Sequence, residues 1–144
     1  MRFAQLLFVI AAVIFFVLGV IHVVLTMRDL YDPRYLTPTD DAVRQAMTEA
    51  RLRLAPVTTI WRAWVGFNFS HSLGLLVFGG ILGGLALYDF RLIANSFALQ
   101  VAAVVVAGTY TVLALRFWFA VPAAAAACGT LAFLASTVVI GVSK

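Results

Sequence analysis

The residues with chemistry to offer are few, and they cluster. The stretch Trp61-Arg62-Ala63-Trp64-Val65-Gly66-Phe67-Asn68-Phe69-Ser70-His71-Ser72 opens a long apolar segment. At 100° per residue on a helix, Trp61, Trp64, Asn68, His71, Ser72 and Leu75 share one face. An earlier apolar segment carries the other histidine, with Phe15, Leu18, Gly19, His22, Thr26 and Asp29 on one face. Polar side chains at membrane depth are costly and turn toward protein or a water-filled cavity. The two stripes therefore predict a polar pocket where their segments meet. Imidazole offers a donor, an acceptor or a proton near neutral pH, and an asparagine amide can orient what the imidazole binds. The candidate binding set is His22, Trp64, Asn68, His71 and Ser72, with Arg116 from a later segment to hold an anionic end. His71 is the candidate general acid or base.

The elements that must position these residues follow from composition. The chain is 64% hydrophobic and only 11% charged, with a mean hydropathy of +1.05, outside the range of soluble globular domains. Four apolar runs, at about 3–26, 61–88, 92–115 and 117–141, each approach the length that crosses a bilayer. They are too long for strands of a membrane barrel and do not alternate in polarity. The first is also too long for a signal peptide and lacks a small-x-small cleavage pattern. The expected fold is all-α, an integral membrane four-helix bundle forming a single domain over 1–144.

The polar loop at about 27–60 has its own order. Tyr31-Asp32-Pro33-Arg34 and Thr37-Pro38 are turn signals. Thr39 or Asp40 can then cap an amphipathic helix running to about Leu54, with Val43, Met47, Ala50 and Leu54 on its apolar side. Such a helix lies in the membrane interface, or covers a cavity as a lid. Arg28, Arg34, Arg44, Arg51, Arg53, Arg62 and Arg116 fall on one side of the membrane, and Arg2, Arg91 and Lys144 on the other. That asymmetry predicts a cytoplasmic first loop. The net charge of +4 reads as topology plus contact with membrane lipids. No basic cluster with interleaved aromatics points to nucleic acid.

Other features weigh against an overly sharp reading. Serines can bond back to their own helix, and interhelical polar bonds in membranes average only about 0.6 kcal/mol, so a polar stripe can be plain helix glue. Trp61 suits an interfacial aromatic belt, and Arg62 suits snorkelling to headgroups. Gly79, Gly80, Gly83 and Gly84 give overlapping small-xxx-small pairs. With the small residues of the fourth span, they suit docking of another helix in a homo- or hetero-oligomer. The single Cys128 allows no intrachain disulfide and no paired-thiol chemistry, and no metal site is read from the sequence.

Trp61–Gly74, together with Gly19-Val20-Ile21-His22 near the end of the first span, resembles a group of small four-pass bacterial membrane proteins with a Gly-Phe-Asn-x-Ser-His-Ser motif. The resemblance implies a bacterial inner (plasma) membrane location and brings no activity with it. Three functional readings follow. The first is a binding or accessory protein that holds a lipid-like or quinone-like amphipathic molecule. A bis-histidine haem on His22 and His71 is its variant. The second is an enzyme acting on a lipid-soluble substrate through His71, with His22 as partner. The third is a purely structural subunit of a membrane complex.

Overall fold

A computed structural model describes residues 1–143 of the chain. Among these described residues six helices follow one another: α1 (Arg2–Tyr31), α2 (Asp41–Glu49), α3 (Ile60–Tyr88), α4 (Phe90–Asn95), α5 (Phe97–Phe117) and α6 (Ala120–Val142). Of these, α1, α3, α5 and α6 are long and apolar enough to cross a membrane. The protein is therefore all-α, with the architecture of a multi-pass membrane protein.

Two elements depart from expectation, each for a local reason. The third span begins at Phe97 rather than near 92, because two caps divide the segment. The Asp89 carboxylate accepts from the Arg91 amide at 3.0 Å and starts the short α4. Ser96 then accepts from the Leu99 amide at 3.3 Å and starts α5. Gln100, itself buried, donates to the α4 carbonyls of Ile93 and Ala94, so the end of that short helix is satisfied. In the loop, α2 stops at Glu49 instead of continuing to Leu54. Ala50 is extended, and the chain folds back as a tight antiparallel turn. The Ile60 amide donates to the Ala50 carbonyl at 2.9 Å and the Leu52 amide to the Thr58 carbonyl at 3.3 Å. Asp40 caps α2 as predicted, accepting from the Ala42 amide at 2.8 Å.

Packing divides the chain into two compact units, Met1–Leu18 with Leu75–Lys144, and Gly19–Gly74. In the first unit, four helices meet around an aromatic core: Phe8 and Phe15 of α1, Phe78 of α3, Tyr110 of α5 and Phe133 of α6. The rings pack edge to face, Phe8 on Phe133 at 4.7 Å and Phe15 on Phe78 at 5.3 Å. Polar locks surround them. Gln5 donates to the Ala86 carbonyl and Ser136 to the Ala4 carbonyl, both at 2.8 Å.

Within this unit the glycine seam has a definite use. A methyl group on Gly79 would stand 2.5 Å from the Phe16 nitrogen and 2.6 Å from the Ala12 oxygen, so the α1 and α3 backbones are in direct contact there. Gly83 faces Ala12 one turn further along. The pair Gly79/Gly83 thus serves the chain's own α1. At Gly84, an added methyl would meet nothing within 4 Å. Gly79→Ala is expected to destabilise the protein by about 1–3 kcal/mol, because backbone cannot yield as a side chain can. Gly84→Ala should leave stability unchanged or slightly raised. Reversible unfolding of both variants in mixed micelles checks the contrast.

Candidate functional site

The second unit holds the end of α1, the polar loop and the beginning of α3, and it contains both histidines. Asn68 is 1% exposed and Ser72 fully buried; His22 and Thr26 are buried on the facing stripe of α1. The amide of Asn68 is oriented by its own helix, for its Nδ2 donates to the Trp64 carbonyl at 2.8 Å. A carbonyl can only accept, so the nitrogen must point there and Oδ1 must point away. Oδ1 lies 3.0 Å from His22 Nε2. Since Oδ1 is an acceptor, His22 carries its proton on Nε2 and donates. In the uncharged ring, Nδ1 is then the acceptor. One interhelical bond fixes a tautomer.

His71 stands beside this pair. Its ring meets His22 edge to face, with centroids 5.0 Å apart and planes at 64°. On α3 itself, Trp64, Phe67 and His71 form a ladder of nearly parallel rings, 6.5 Å and 6.1 Å between successive centroids, each step tilted by 22°. The ladder is open to the surroundings: Trp64 is 36% and Phe67 55% exposed, and His71 is half-buried.

A carboxylate completes the unit. Asp29, buried at the last turn of α1, accepts from the amides of Arg34, Tyr35 and Leu36, the first two at 3.0 and 2.9 Å. The loop is thereby folded back on the helix that precedes it. The Leu36 carbonyl in turn accepts from Trp64 Nε1 at 2.9 Å. A continuous chain of bonds runs from Asp29 through Leu36, Trp64 and Asn68 to His22.

The sequence placed Asp29 on the polar face but gave no sign of this task. The Pro33 and Pro38 turn signals flank the clamped residues, and they are the only hint that the chain reverses here. Trp64, a member of the candidate binding set, is tied by its indole N–H to the loop. Ser72 donates to the Asn68 carbonyl and Ser70 to the Phe67 carbonyl, so both hydroxyls are spent within α3. Arg116 lies at the last turn of α5 in the first unit, where it is exposed. Within the second unit itself, the residues brought together are His22, Trp64, Asn68, His71 and Ser72, with Thr26 and Asp29 added.

The space among these groups is small. A cavity lined by Thr26, Asp29, Leu36, Trp61, Trp64 and Asn68 has a volume of about 10 Å³, room for roughly one water molecule. Among the described residues, every buried side-chain nitrogen and oxygen has a hydrogen-bond partner. The buried polar groups thus leave room for about one water molecule, while Trp64 and Phe67 of the aromatic ladder are exposed.

A haem does not fit. Two axial histidines must each aim a nitrogen at the iron from opposite faces of the porphyrin. Here His22 aims Nε2 at Asn68, and the edge of one ring meets the face of the other with no slot between. No group of three or more His, Cys, Asp or Glu among the described residues can hold a metal ion.

Comparison with protein-family models, with curated proteins and with solved structures finds no match to this chain. The site must be read from its own geometry. That geometry makes Asp29 the clamp of the loop. Asp29→Ala should free the amides of Arg34, Tyr35 and Leu36 at a cost of about 2 kcal/mol, roughly a thirtyfold rise in their hydrogen exchange. Exchange mass spectrometry of the loop peptide checks this, with peptides from α5 expected to be unchanged.

Proposed function

We propose that this chain is a membrane-embedded binding protein for an amphipathic molecule with a flat, hydrogen-bonding head, quinone-like in chemistry. The head would lie on the ladder of Trp64, Phe67 and His71. The observation that carries this reading is that ladder: three near-parallel rings beside a buried polar seam, with Trp64 and Phe67 exposed. His71 supplies a hydrogen bond to a carbonyl of the head. Trp64 and Phe67 supply flat apolar surface, which an aromatic or quinonoid ring fits by offset stacking. Asn68 and His22 stand behind and hold the His71 environment fixed; they position the site rather than touch the ligand. The tail of such a molecule would remain in lipid, so the ligand needs no cavity between the helices. The resemblance to small bacterial four-pass proteins supports an inner (plasma) membrane location.

An enzymatic reading has less support. Acid–base work by His71 would be helped by a carboxylate, and both oxygens of Asp29 are already engaged by loop amides. A purely structural role is favoured by one observation, the complete pairing of buried polar atoms. The two readings separate by experiment.

The test uses the full chain in lipid nanodiscs and a short-tailed benzoquinone as probe, followed by quenching of tryptophan fluorescence. Binding is expected to weaken about fivefold in His71→Ala, the equivalent of one hydrogen bond worth about 1 kcal/mol. His71→Gln, which can still donate, should recover most of the loss. Native mass spectrometry of protein extracted from its own membrane should show a bound small molecule that is reduced in the same variant. Absence of quinone binding and of any adduct would overturn the proposal. So would an affinity indifferent to His71→Ala, which would leave the seam as helix glue.

A further inference from the structure

We infer that the turn between α2 and α3, Ala50–Thr59, is a membrane-interface anchor that inserts Leu54 and Val57 among the lipids and sets Arg51 and Arg53 against anionic headgroups. Leu54 is 97% and Val57 86% exposed, although both are aliphatic. A side chain left this bare in water would gain by burial in any apolar surroundings. The turn is not a loose loop. Its two arms are bonded through Ile60 to Ala50 and Leu52 to Thr58, the Thr58 amide donates to the Ala55 carbonyl at 3.0 Å, and Arg51 Nη1 donates to the Pro56 carbonyl at 2.7 Å. The exposed aliphatics are therefore presented on a built structure.

Position and charge identify what covers them. Thr59 directly precedes Ile60, the first residue of a helix long and apolar enough to cross a membrane. The turn is thus tethered beside the bilayer surface, where an aliphatic tip flanked by arginines meets the acyl boundary with its apolar part and the phosphates with its charge. From Ala50 to Thr59 the chain carries Arg51 and Arg53 and no acidic residue. The neighbouring α2 differs, mixing Asp41 and Glu49 with Arg44 and burying nothing. Selectivity for negative lipid therefore belongs to the turn. This inference is independent of what the aromatic ladder binds.

The experiment uses the full chain with Cys128→Ala, so that a single new thiol can be labelled. Leu54→Cys and, separately, Val57→Cys carry an environment-sensitive fluorophore in vesicles of phosphatidylcholine, alone or mixed with phosphatidylglycerol. The expected result is blue-shifted emission, protection from aqueous iodide and quenching by lipids spin-labelled near the headgroup, all stronger with phosphatidylglycerol present. Arg53→Glu should abolish the gain from phosphatidylglycerol. Emission typical of water with full iodide quenching at both positions would overturn the insertion. Blue-shifted emission without lipid quenching would overturn it too, since protein would then be the cover. Equal behaviour in the two vesicle types would overturn the role of the arginines.

Discussion

The second unit is organised by one requirement: a polar group withdrawn from water must find its partner inside the protein. Asn68 meets it twice, donating to the Trp64 carbonyl of its own helix and accepting from His22 of another. The first bond sets which end of the amide faces α1. The second sets which nitrogen of His22 bears the proton. Neither leaves a choice, so the orientation of the buried imidazole is decided by a backbone carbonyl one turn away from its partner. His71 then packs against a ring that is already fixed. Removing Asn68 would leave the Trp64 carbonyl, which lies in a helix, little affected, but it would take away the oxygen that faces His22 Nε2.

The first unit works by shape instead. Edge-to-face aromatic packing fills its interior, and α1 approaches α3 closely because Gly79 has no side chain. Hydrogen bonds between helices there include side chain to backbone carbonyl, as in Gln5 to Ala86 and Ser136 to Ala4, and the hydroxyl pair of Thr111 and Thr130. Lipid offers no hydrophobic drive between helices, so close contact and such bonds carry the association. α1 and α3 thus use tight backbone contact in one unit and a polar network in the other.

Much of this was legible in the residues. The four spans stood out because hydrophobic length is a strong signal that needs no tertiary context. The joint burial of His22, Asn68 and Ser72 followed from helical spacing alone. The short α4 was not legible, because an apolar run conceals caps as modest as Asp89 and Ser96. The loop was misread where Val43, Met47, Ala50 and Leu54 kept helical spacing beyond Glu49, since periodicity does not register a backbone that turns extended at Ala50. Least visible was the work of Asp29. Its partners are main-chain amides, which any residue provides, so no side-chain pattern could announce them.

The lengths of the spanning helices carry a last consequence. At 1.5 Å per residue, α1 and α3, with 30 and 29 residues, run about 44 Å, whereas α5 and α6, with 21 and 23, run about 33 Å. A hydrocarbon layer of about 30 Å suits the shorter pair and is overrun by the longer one. Surplus helix tilts, or emerges into the headgroup region. Each of the two long helices must take up that surplus along its own length. The long pair, α1 and α3, is therefore the part of the bundle that feels a change in the thickness of the surrounding bilayer first.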